Sequence, residues 1–258
     1  MAAGLRVRND DATYQVTQDT TSFGMVTKGT IAMVNDGATH PQPMRVGSVS
    51  YQGPMPIIAF SAPYDVNLVY QRNDGNGNWT FGFRAQSSVD FTLLYWIFDR
   101  AEVTPGANLR AGLKVYRANG QLAYHSDMKP MRVVAVAQGE PPTSNQIIGY
   151  RQLRTFTVPE GRQWAVIQGT FCFVTSLSNF GRDGEDGGGG LIPPGGGINQ
   201  YKVMVLNSSH SIGRVANGTV SVGLGAFERF QGSYHNSTEE NFSAFGDLMH
   251  WLVDVTGY

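Results

Sequence analysis

The sequence predicts an all-β protein made of two tandem β-sandwich-like units related by internal duplication, the second with a long glycine-rich insertion. Three observations lead there. Short runs alternate apolar and polar residues between clusters of Gly, Pro, Asn and Asp, the pattern of half-buried strands joined by turns. An ungapped shift of 108 positions lays Gly4, Leu5, Val7, Asp19 and Val26 on Gly112, Leu113, Val115, Asp127 and Val134. A shift of 155 lays Leu93, Trp96 and Asp99 on Leu248, Trp251 and Asp254, in the same chain order. Each unit then opens with GL(R/K)V and closes with LxxWxxD, over about 4–99 and 112–254, and the second holds about 47 more residues.

The domain reading that follows is a first β-unit at 1–102, a linker at 103–111 and a second β-unit at 112–258. In the first unit, strands are expected over Thr27–Val34, Arg45–Tyr51, Met55–Ser61, Asp65–Arg72, Trp79–Ala85 and Val89–Arg100, with Asp74–Asn78 as a hairpin turn. Thr104–Asn108 carries the Pro and Gly of a link. The second unit opens on the hairpin GLKVYRANGQLAYHSD, in which Asn119-Gly120 suits a two-residue type I′ turn. Its flanks place Leu113, Val115, Leu122 and Tyr124 on one face. Strands follow at Arg132–Ala137, Gln146–Val158, Trp164–Leu177, Tyr201–Leu206 and Thr219–Leu224. Residues 181–197 hold nine glycines in 17 positions and form a loop, either an interaction loop or a disordered spacer. Ser237–Glu240 has capping-box spacing, so a short helix is expected near 238–246, before a closing strand at 247–255.

Charge excludes some functions. Nineteen Lys and Arg against 20 Asp and Glu leave no basic footprint for nucleic acid or an acidic membrane surface. No apolar run reaches 18 residues, so no membrane insertion is expected, and no export leader is read at the N-terminus. The lone Cys172 cannot form a disulfide within the chain and reads as a small buried hydrophobe. Charged residues are only 15% of the chain, a balance that suits a subunit whose faces neighbours cover.

No catalytic pattern emerges. The histidines at 40, 125, 210, 235 and 250 make no HxxxH pair, and one cysteine makes no thiolate cluster, so no metal or cofactor is expected. Asp74, Asn76 and Asn78 resemble the start of a calcium loop, but Trp79 stands where that loop needs Gly and Ala85 where it needs Glu. Nucleophile elbows, Walker loops and dinucleotide fingerprints are absent. Aromatic residues make up 11% of the chain and invite a sugar-stacking reading. Trp96 and Trp251, repeated in both closing strands, are better explained by a shared packing role. Met128–Met131 reads as either an exposed anchor or the start of a strand.

On Gly112, Leu113, Val115, Asn119, Gly120 and Asp127, and on the closing LxxWxxD strands, the chain resembles the small tail proteins encoded beside the central tail fibre of long-tailed bacteriophages. Gly4, Leu5, Val7 and Asp19 match without the Asn-Gly turn. The resemblance implies a non-enzymatic tail-tip or baseplate protein, made in the host cytoplasm and residing in the virion tail. Its implied partners are central fibre or tail-hub subunits and further copies of itself. The alternative is a receptor- or carbohydrate-binding module of the tail, with a host surface receptor as partner and residues 181–197 at the contact.

Overall fold

The computed structural model describes residues 5–9, 12–16, 22–37, 43–108, 111–139, 151–170, 173–181, 201–235, 241–245 and 248–258. They form an all-β fold. Alternating runs such as 79–86, where Phe81, Phe83 and Ala85 are buried, put one face of each strand into a core. Two hairpins stand apart as two-stranded sheets: β1 (Leu5–Asn9) with β2 (Ala12–Val16), and β9 (Lys114–Tyr116) with β10 (Leu122–His125).

Two large antiparallel sheets make the body. The six-stranded sheet runs in the order β11 (Val133–Gly139), β18 (Leu248–Asp254), β13 (Trp164–Gln168), β5 (Ile57–Ser61), β8 (Phe91–Arg100), β3 (Phe23–Met33). The eight-stranded path includes β12 (Arg151–Thr157), β16 (Thr219–His235), β15 (Tyr201–Ala216), β6 (Val66–Asn73), β7 (Asn78–Gln86) and β4 (Met44–Gln52) in that order. Beside it, β14 (Phe173–Gly181) pairs with β15 and β17 (Asn241–Phe245). Both sheets take strands from both halves of the chain. They meet at Phe60 opposite Val166 in one sheet and Val66 opposite Gly213 in the other.

The six-stranded sheet is ordered symmetrically, and its register is too. Shifting β3 by 108 and β8 by 155 turns the pairs Met25↔Phe98 and Thr27↔Ile97 into Val133↔Val253 and Ala135↔Leu252, which are the observed pairs of β11 with β18. The register breaks at Val26 in one ladder and at Val134 in the other, the same aligned position. Shifting β5 by 108 likewise turns Ile58↔Ile97 and Ala59↔Trp96 into the observed Val166↔Leu252 and Ile167↔Trp251.

One row crosses the whole sheet: Gly29, Tyr95, Phe60, Val166, Leu252, Ala135. From Tyr95 onward its side chains face the main core between the sheets, with Ile31, Phe81, Phe83 and Val222 among their companions. Gly29 has no side chain because the Tyr95 ring occupies its place: a Cβ there would lie 2.7 Å from the Tyr95 hydroxyl. The opposite face carries a second cluster of Ala59, Trp96, Phe98, Ala165, Ile167 and Val253, closed by Met131 and Tyr258. Residues 129–131, which precede β11, run beside β3. Met25 N–H donates to Lys129 O at 2.8 Å and Met131 N–H to Phe23 O at 2.9 Å.

Several expectations need correction. Residues 241–245 are strand, where a helix was expected; the rest of that segment, 238–240 and 246, lies outside the described residues. The expected strand 164–177 is two strands that pair with different partners. Asn119-Gly120 is not a type I′ turn: Gly120 alone takes a positive φ, and Gly120 N–H donates to Arg117 O, giving a longer turn over Arg117–Gly120. Residues 201–206 and 219–224 belong to strands of 16 and 17 residues joined at Asn217-Gly218, both at positive φ. Met128 is buried and residues 129–131 run along β3, so the MKPM segment is neither an exposed anchor nor the start of a sheet strand. Gly4, Asp19, Cys172 and residues 182–197 of the glycine-rich loop lie outside the described residues.

Candidate functional site

The repeated closing motif occupies equivalent places on β8 and β18. Leu93 and Leu248 are buried, and so are Asp99 and Asp254. The two aspartates sit in opposite electrostatic settings. Burial pushes the Asp99 carboxyl up, against the N–H groups of Arg100 and Met55 (2.7 and 3.0 Å), the Tyr51 hydroxyl and the Arg100 charge. Burial, aided by the Asp99 charge and hydrogen bond, likewise raises the Tyr51 phenol. At Asp254 burial also works upward, but the Thr256 hydroxyl and N–H together with Arg132 and Arg162 outweigh it and hold the carboxyl low. Arg162 Nη1 lies 2.9 Å from Asp254 Oδ2 and Arg132 Nη2 3.6 Å from Oδ1. A shift of 108 puts Gly24 and Pro54 where these two arginines stand, which leaves Asp99 without their charge.

Trp96 and Trp251 line separate clefts at corresponding places in the two halves. The first cleft, of about 470 Å³, lies between Trp96, Leu94 and Ser61, the 158–163 loop, and the Asn217-Gly218 turn. The second, of about 250 Å³, is bounded by Trp251, Trp79, Met55, Ile57, Ile167 and Gln168. Trp96 is only 4% exposed and offers no stacking face, whereas Trp79 and Trp251 are half-buried. Trp79 Nε1 donates to Gly53 O at 2.9 Å, which fixes the plane of its indole.

The most open apolar feature is the edge strand β11. Val133, Val134 and Val136 are 41%, 57% and 44% exposed. Among the described residues β11 has one strand partner in its sheet, β18; β12 of the other sheet lies close to it, and the Arg154 guanidinium donates to Val136 O at 3.3 Å. The opposite edge, β3, is handled differently. Its start is bonded to 129–131, its end bridges to β4 through Val34 and Val46, and Lys28 stands at the position aligned with Val136. A lysine on an edge strand discourages further pairing; valine does not.

The remaining sequence-predicted residues are structural in place. Leu5 and Val7 lie on β1. Leu113 is exposed, Val115 is half-buried and Gly112 adopts φ +116. Asn119 Oδ1 accepts from Gln121 N–H at 3.1 Å, and exposed Asp127 sits near His125. Residues 103–108 of the expected linker 103–111 pack with the second hairpin: Thr104 Oγ1 and His125 Nε2 are 2.6 Å apart, and Lys114 Nζ donates to Ala107 O at 2.7 Å. Asp74 is consumed by its own turn, accepting from the N–H groups of Asn76 and Asn78 and from Asn78 Nδ2. Sequence reasoning passed over β11 as a surface. The signal was present in VVAVAQG, a run with no charge between Val133 and Gly139. Compared with protein-family models, curated proteins and solved structures, the chain matches none.

Proposed function

We propose that this chain is a non-enzymatic structural subunit of a bacteriophage tail tip or baseplate, packing onto central-fibre or tail-hub proteins near the host-contacting end. The observation that carries an assembly role is the run of exposed valines on β11, Val133, Val134 and Val136, in a fold whose aligned strand β3 bears Lys28. The assignment to a phage tail rests on the GLxV and LxxWxxD resemblance. The two halves are read as duplicates of one β-unit, supported by the shared register and by breaks at Val26 and Val134. One chain then offers two related but differently finished surfaces, and copies of it form a ring or stack in the virion. The test is mass spectrometry and immunogold labelling of purified particles. The protein is expected at fixed copy number, with label at the distal end of the tail; its absence from particles overturns the reading.

A receptor- or carbohydrate-binding role is the second reading, favoured by Trp79 and Trp251 in one cleft with Gln71 and Gln168. Host-cell or glycan binding that Trp251→Ala abolishes would support it.

A further inference from the structure

We propose that the outer face of β6 and β7 binds a neutral hexose of a glycan, with the Tyr70 ring as its stacking platform and Arg72, Asp74 and Thr80 as the hydrogen-bonding groups beside it. The site stands apart from the assembly role and from the Trp79–Trp251 cleft. Along β7, Trp79 and Phe81 turn toward the main core, whereas Asn78, Thr80 and Gly82 belong to the opposite face. Tyr70 pairs with Gly82 and Arg72 with Thr80, which brings Tyr70 and Arg72 to that face too. Gly82 lets the platform lie flat. A Cβ there would be 2.2, 2.3 and 2.8 Å from Tyr70 Cε1, Cζ and Cδ1. A point in the plane of the ring that close to Cε1 and Cζ would be much farther from Cδ1, so the ring lies face down on the glycine. Tyr70 is still 46% exposed, which leaves its other face to solvent.

The chemistry of the neighbours decides the ligand. The negative face of an aromatic ring attracts the polarised C–H groups on the flat side of a sugar. Tyr70, Arg72, Asp74, Asn78 and Thr80 border an open depression of about 390 Å³, within the roughly 300–1,000 Å³ of small-ligand sites. Its polar groups are of both kinds. The Arg72 guanidinium only donates, and it has no carboxylate partner among the described residues. Asp74 only accepts. The Asn76 N–H and the Asn78 side chain hold its carboxyl below the usual range, so it is charged at neutral pH. Its Oδ2 takes one bond, from Asn78 Nδ2 at 2.9 Å, and a carboxylate oxygen has room for a second. The Thr80 hydroxyl donates and accepts, and its contact with Ser50 Oγ is a long 3.4 Å. A phosphate or carboxylate ligand meets the charge of Asp74, and an ammonium meets that of Arg72. Vicinal hydroxyl groups, each both donor and acceptor, satisfy the two side chains together and carry no charge.

The experiment titrates the full chain with the methyl glycosides of glucose, galactose and mannose, and with methyl β-D-glucuronide as the anionic counterpart, read by saturation-transfer difference NMR. At least one neutral glycoside should bind saturably, with Kd on the order of 1–20 mM. The glucuronide should bind at least about fivefold more weakly than glucose. Tyr70→Ala should abolish saturation, whereas Tyr70→Phe, which keeps the ring, should stay within about twofold of wild type. Arg72→Met should weaken binding about tenfold. Trp251→Ala, in the other cleft, should leave the affinity unchanged. Tyr70 and Arg72 are exposed, so these variants should keep the wild-type circular dichroism and melting profile. If Tyr70→Ala does not fold, Arg72→Met decides, and an unchanged affinity overturns the proposal. So does a lack of saturable binding by any neutral glycoside, binding that survives Tyr70→Ala, or a glucuronide that binds as well as glucose. Binding lost in Trp251→Ala and kept in Tyr70→Ala assigns the glycan to the Trp79–Trp251 cleft and also overturns it.

Discussion

Acidification from pH 7 to pH 4 should withdraw about 3 kcal/mol of folding stability through His250 alone. This histidine lies on β18, opposite Ala137 on one side and Gln168 on the other, and is 1% exposed. Burial lowers its pKa from 6.5 to about 4. The unfolded chain takes up a proton near pH 6.5 and the native chain refuses it until about pH 4, so the unfolded state binds more protons across that window. Stability is therefore fully present above pH 6.5 and is lost as the pH falls toward 4. The gap between those two values, at about 1.36 kcal/mol per unit, gives the 3 kcal/mol. That is a large share of the roughly 5–15 kcal/mol a domain possesses. Urea unfolding followed by tryptophan fluorescence at pH 7, 6, 5 and 4.5 reads it, with His250→Gln as comparison. His125, lowered by burial and by Lys114 against the pull of Asp127, adds slope of the same sign. Asp99, whose carboxyl is raised, acts in the opposite sense: the penalty for its ionisation shrinks as the pH falls through its raised value. Asp254, held low, contributes stability above the unfolded value of 3.8 that is lost only below it. These groups are common to both proteins, so the difference in slope isolates His250. Parallel pH profiles for wild type and His250→Gln would refute the reasoning.

Four further substitutions test the packing. Gly53→Ala places a Cβ 2.3 Å from Asp99 Oδ2 and from the Tyr51 ring, and should cost about 1–3 kcal/mol in chemical denaturation. Gln168→Leu removes the side chain that accepts from Leu68 N–H at 3.0 Å and donates to Leu68 O at 3.1 Å; the two buried backbone groups left behind should cost about 1–3 kcal/mol each. Leu93→Ala and Leu248→Ala, at equivalent buried positions, should each lose about 2–5 kcal/mol, and a loss confined to one of them would argue against their equivalence.

Strand existence was legible wherever one face is wet. The alternation at Trp79, Phe81 and Phe83 marks β7 because its other face meets solvent or polar groups. The proposed repeat was legible at the ends of each unit: the Leu, Trp and Asp of the closing strands and the GL(R/K)V opening. Between these points β5 and β13 share a register yet read IIAF against AVIQ, because a core position asks for volume and apolarity rather than identity. The helix expected at 238–246 was mistaken because Phe242 and Phe245 fit a helical face, while pairing with β14 sets the local geometry. Each unit was expected to close its own sandwich. Sequence alone does not say which strands lie next to each other across the middle, and here β5 meets β13 and β6 meets β15.

On the proposed duplication, what diverged between the halves is as informative as what persisted. Two main-core pairs kept their apolar character, Ile58 with Val166 and Ile97 with Leu252, whereas Phe60 corresponds to the buried Gln168. Changes concentrate where charge meets a boundary. Gly24 and Pro54 correspond to Arg132 and Arg162, so one buried aspartate is ion-paired and the other depends on backbone N–H groups and a tyrosine. Lys28 corresponds to Val136, so one edge strand carries a charge where the other carries an exposed valine. Strand register is the same in the two ladders despite these changes, with breaks at Val26 and Val134. A repeated sheet can thus hold its geometry while its two edges acquire different partners, the property an assembly subunit with unlike neighbours requires.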